Sequence, residues 1–166
     1  MSYRDEIKVM IENVLESTTP SRRASIDRVI KKMYAKALEE TKRSGASVES
    51  MTYEILEGIE AGLLSSPEEM EASLERASCL MADLLHHSAQ EEIKRKQRRI
   101  DFAKEALSET IEAEKMHLIE SLDAFRAFAR EHRHQKFQKS LHMTGSSMMK
   151  YVLKLAGEMM YNHKQP

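Results

Sequence analysis

Ser66-Pro67-Glu68-Glu69 opens the stretch whose reading decides the fold, a run to Thr144 with neither glycine nor proline after Pro67. Those four residues supply a hydroxyl for the N-cap, proline at the first helical position and a glutamate placed to reach back to the cap. Beyond them Leu74, Ala77, Met81, Leu85, Ala89, Ile93, Ile100, Ala103, Leu107, Ile111, Leu118, Leu122, Phe125 and Ala129 keep one apolar phase, near 3.6 residues per turn. The pattern predicts one very long helix near 67–132, continuous or kinked, on the order of 100 Å long if unbroken.

Shorter amphipathic segments flank it. Residues 3–17 place Tyr3, Ile7, Met10, Ile11, Val14 and Leu15 on one side. Thr18-Thr19-Pro20 ends that helix and starts the next, whose face is Ile26, Val29, Ile30, Met33, Ala37 and Leu38 and whose last turn carries Lys42 and Arg43 before Gly45. A third helix from about Val48 to Leu64 carries Met51, Ile55, Leu56, Ile59 and Leu63, with Gly58 and Gly62 four apart as a device for close packing. After Thr144-Gly145 a methionine-rich helix is expected over 146–161. The fold class is therefore all-α, about five amphipathic helices in a bundle or coiled-coil-like arrangement. Residues 1–166 read as a single helical domain: three shorter helices in 1–64, the long one over 67–132, and the last.

Composition agrees. Charged residues make up 32 % of the chain and aromatics 5 %, with no tryptophan, so the runs that strands need are missing. The net charge of −1 gives no global field toward nucleic acid or an anionic membrane. Charge is instead segregated. Glu49, Glu54, Glu57, Glu60, Glu68, Glu69, Glu71 and Glu75 occur with no lysine or arginine between Gly45 and Arg76. Downstream come Lys94, Arg95, Lys96, Arg98, Arg99 and Lys104, then Arg126, Arg130, Arg133, Lys136 and Lys139. Opposite blocks of this kind can guide association within or between subunits; they also serve simply as solvated helix faces. One cysteine excludes an intramolecular disulfide, and the polar start lacks the apolar core of a signal peptide, so the expectation is a cytoplasmic protein with no transmembrane span.

Catalytic chemistry finds no foothold: there is no glycine-rich phosphate loop, nucleophile elbow or cysteine pair. Cys79, among Leu80, Met81 and Leu84, reads as a small buried hydrophobe. Three acid–histidine pairs at i, i+3 spacing, Asp83/His86, Glu114/His117 and Glu131/His134, resemble the carboxylate–imidazole pairs of ferritin-like di-metal bundles, an alternative that would make the protein a metal-binding bundle or oxidase. Glu114, inside the apolar stripe, is its best inward carboxylate. Arg126, Arg130 and Arg133 form a stripe for phosphates but lack any reading motif, so a nucleic-acid-associated role ranks third. Arg22-Arg23-Ala24-Ser25 has the look of a basophilic kinase site.

The leading expectation is a non-enzymatic, elongated helical scaffold or adaptor that self-associates or coats a partner surface. Its proposed partner-binding residues are Met148, Met149, Val152, Leu155, Met159 and Met160, since adaptable methionine faces suit a partner helix. No catalytic, cofactor or metal residue is assigned. Composition and helical architecture look like those of granule-coating phasins and exchangeable lipid-surface proteins, which implies a lipid or granule surface as another partner; the likeness rests on no motif.

Overall fold

The computed structural model describes residues 2–17, 21–97 and 104–164, with backbone alone at 104–105 and 158–164. It holds six helices: α1 (Tyr3–Glu16), α2 (Arg22–Ser44), α3 (Val48–Gly62), α4 (Pro67–Gln97), α5 (Lys104–Glu131) and α6 (Gln135–Lys164). The protein is all-α, with no strand among the described residues. Successive helices run up and down, so the odd-numbered ones are parallel to each other and antiparallel to the even-numbered ones. Each helix packs against those one and two positions away in sequence, and the Lys42–Glu114 ion pair reaches farther, from α2 to α5. The result is two layers, α1–α3–α5 and α2–α4–α6, stacked as three hairpins in a zigzag.

Local chemistry explains most of the boundaries. Ser2 and Ser47 cap α1 and α3 by accepting the backbone N–H of Asp5 and Ser50. Gly45 closes α2 in the left-handed conformation at φ 73°. The Thr18-Thr19-Pro20 break lies outside the described residues. Gly58 and Gly62 perform the packing expected of them. A Cβ on Gly58 would stand 2.6 Å from the Arg4 carbonyl oxygen, and one on Gly62 would stand 2.9 Å from Ile11 Cβ, so α1 rests directly on the α3 backbone.

The long apolar seam does not make a rod. It divides into α4 and α5, which pack antiparallel. The 31 residues of α4 span about 46 Å, under half the length an unbroken helix would have. Ile93, Ile100 and Leu107 are spaced seven apart, which carries the helical phase across the division and hides it. The other expected break also moves. Gly145 lies inside α6, where a Cβ would sit 3.4 Å from Arg126 Nη2 and 3.8 Å from Leu122. The chain turns instead at Arg133, which takes φ 58° while His134 N–H bonds Ala129 O; glycine usually occupies such a corner.

The core runs through all six helices. Tyr34, Phe125, Phe128, Phe137, Ile7, Ile30, Ile55 and Leu56 are fully buried, each contributing roughly 1.5–3 kcal/mol. A buried hydroxyl chain threads it, Tyr34 Oη to Thr52 Oγ1 at 3.0 Å and Thr52 to Ser121 Oγ at 3.4 Å. Burial pushes the Tyr34 phenol up to about 12. Cys79 is exposed rather than buried, its Sγ 3.8 Å from Thr144 Oγ1. The inward face of α4 is Leu74, Ala77, Ser78, Met81 and Leu85, and residue 79 falls off it.

Candidate functional site

Because α2 stops at Ser44 while α4 and α5 continue, a cleft of about 790 Å³ opens between the three helices beside the Gly45 turn. At its wall Lys42 Nζ lies 2.7 Å from Glu114 Oε2 and 3.0 Å from Ser88 Oγ, and His117 Nδ1 lies 3.2 Å from the same Glu114 oxygen. Glu114 is buried. Burial alone would raise its pKa, but the His117 hydrogen bond and Lys42 outweigh that and hold it below the ordinary carboxylate value. Arg43 and Arg95 stand at the mouth, paired to Glu39 and Glu92 on their own helices. The cleft's charges are thus mutually satisfied.

A second cluster locks the α5–α6 corner. His134 is buried, with Nε2 at 2.5 Å from Glu60 and Nδ1 at 3.0 Å from Glu71; His132 Nδ1 lies 2.7 Å from the other Glu60 oxygen. Both ring nitrogens of His134 thus face carboxylate oxygens, one from α3 and one from α4. Glu71 also accepts the backbone N–H of Phe137 at 2.9 Å. Phe128 stacks on both imidazoles, and Tyr53 donates to Glu131. Burial, then Glu131, pushes the Tyr53 phenol up to about 12.

The three acid–histidine pairs therefore have separate roles. Glu114 and His117 do meet, but around Lys42. Asp83 accepts from Tyr151 Oη at 2.6 Å, and His86 stacks on the Tyr151 ring at 4.0 Å. Glu131 and His134 part company, one to Tyr53 and the other to Glu60 and Glu71. Among the described residues no group of three or more His, Cys, Asp and Glu is placed to hold a metal ion. His86 Nε2 is buried without a hydrogen-bond partner, and desolvation followed by Lys154 lowers the pKa of that ring.

The surface residues expected to bind a partner divide. Met148, Val152 and Leu155 belong to the protein's own core, whereas Met149 is half exposed; the side chains of Met159 and Met160 lie outside the described residues. What α6 offers outward is Met143, Met149 and Leu153, joined by Met116 on α5. Leu153 is 68 % exposed. Between His132 and Gly157 no acidic residue occurs, and Lys136, Lys139, Lys150 and Lys154 are all exposed. Arg126 and Arg130 stand exposed beside them on α5, and Arg133, also exposed, sits at the corner. The upstream run is partly neutralised, since Arg95 and Lys96 pair with Glu92; Arg98 and Arg99 lie outside the described residues. Ser25 falls in the first turn of α2. Lys42, Glu60, Glu71 and His132 carried no sequence signal beyond their charge, for their partners lie 63 to 74 positions away.

Compared with protein-family models, curated proteins and solved structures, the chain matches none. No helix among the described residues is long and apolar enough to cross a membrane.

Proposed function

We propose that this protein is a non-enzymatic helical scaffold or adaptor that works by presenting its outer helix surfaces to another macromolecule, in the first place to itself. One observation carries the reading. The polar clusters inside the fold are paired off, whereas α6 presents Lys136, Lys139, Lys150 and Lys154, with no ion-pair partner among the described residues, interleaved with exposed Met143, Met149 and Leu153. Mixed apolar and single-signed surfaces suit a steered, specific contact better than chemistry on a small substrate. A cytoplasmic setting, where a lone reduced cysteine is ordinary, fits the same reading. Sedimentation equilibrium at micromolar protein, in about 0.05 M and about 0.5 M salt, tests it. Self-association that weakens with salt is expected, and a monomer under every condition removes the self-associating scaffold.

A further inference from the structure

We infer that the outer α5–α6 surface docks a second copy of this chain about a two-fold axis, with Lys139 and Lys150 of each copy set against Glu131 and Glu120 of the other. The inference rests on the self-associating reading and adds its geometry.

The outer side of α5 carries an acidic row along one edge and mixed charge along its middle, where exposed Glu112 and Asp123 share the stripe of Arg130. Glu109, Glu120 and Glu131 recur every eleven residues, which is close to three whole turns and puts them in one row about 16 Å apart. That row lies toward α3, because Glu131 takes the hydroxyl of Tyr53 on α3. Glu57, one turn beyond Tyr53, adds to the strip. Arg126 lies on the other side, toward α6, over Gly145. On α6 the exposed Lys139 and Lys150 are also eleven apart, so the basic row repeats at about the same 16 Å as the acidic one.

None of Glu57, Glu109, Glu120, Arg126, Arg130, Lys139 or Lys150 has an ion-pair partner among the described residues. Two strips of opposite sign and equal spacing, side by side on one surface, become complementary when a copy is turned through a half-rotation. The apolar groups fall in the same registers. Met116 sits in the row of Glu109 and Glu120, while Met149 and Leu153 flank Lys150. Each copy's Met116 then meets the other's Met149 and Leu153, an apolar centre inside a charged rim.

Charge reversal tests the pairing. Variant one carries R126E, R130E, K139E and K150E; variant two carries E57K, E120K and E131K. Each should remain folded by circular dichroism and lose dimer affinity at least 100-fold. Mixed in equal amounts, the two should form a heterodimer, detected by native mass spectrometry. Leu153→Asp, a single change at an exposed site, should weaken the dimer at least tenfold with the fold intact.

A mixture that stays monomeric while the wild-type protein self-associates overturns this interface and leaves the self-associating reading standing. A wild-type protein that never self-associates overturns both. So does a monomer that binds random duplex or anionic vesicles through the same lysines, and it would hand the surface to a polyanion.

Discussion

Glu114 keeps its charge inside the fold only because Lys42 and His117 face it, so changes at the two ends of that pair should have unequal effects. Lys42→Met strands a buried carboxylate and is expected to lower unfolding stability by about 3–5 kcal/mol, whereas Lys42→Met with Glu114→Leu should recover most of that loss. Urea denaturation of the single and double variants measures the difference. Because its folded pKa is depressed, Glu114 contributes stability above the ordinary value of 4.5, and that contribution is lost as pH falls through the lower folded value. His86 has the same sign for a different reason. Its ring is disfavoured as a cation, so its contribution is present above 6.5 and drains away as pH falls toward the lowered value. His86→Phe keeps a ring against Tyr151 and removes the orphaned nitrogen. It should stabilise the protein by roughly 1 kcal/mol and flatten the stability profile just below pH 6.5, as followed by thermal melts across that range.

Among the elements, the hairpin corners and close approaches carry the sharpest expectations. Arg133 holds a left-handed backbone that glycine adopts without a Cβ clash, so Arg133→Gly should raise stability by about 0.5–1 kcal/mol in chemical denaturation. Gly58→Ala should do the reverse, since the new methyl meets the Arg4 carbonyl and Ile7. Separating α1 from α3 should lower stability by at least about 2 kcal/mol, while Gly157→Ala, with open space around it, should gain up to about 1 kcal/mol.

These same elements mark what could be read in advance. The helical class, the approximate extents of α1 to α3 and the start of α4 follow from caps, glycines and apolar period. The reversal between α4 and α5 did not, because no glycine or proline interrupts it and the apolar spacing stays in phase across it. Nor did the corner at Arg133, where the turn is held by imidazoles on Glu60 and Glu71 rather than by backbone preference. Of the residues expected on a partner surface, Met148, Val152 and Leu155 are buried in the protein's own core: the period locates α6's apolar residues but cannot tell which face its neighbours leave open.

For the molecule as a whole, a stack in which α1 touches only α2 and α3 should not open all at once. Native-state hydrogen exchange is expected to find α1 the least protected helix and the inner parts of α4 and α5 the most, with exchange in α1 running ahead of global unfolding. Uniform protection across all six helices would contradict the layered account. The same arrangement bears on how the protein is made. Helices whose partners are the next one or two along the chain do not need the two ends of the chain brought together before they pack. Such a polypeptide can take shape from α1 onward as the ribosome delivers it, each new hairpin meeting a seat that its predecessors have already built.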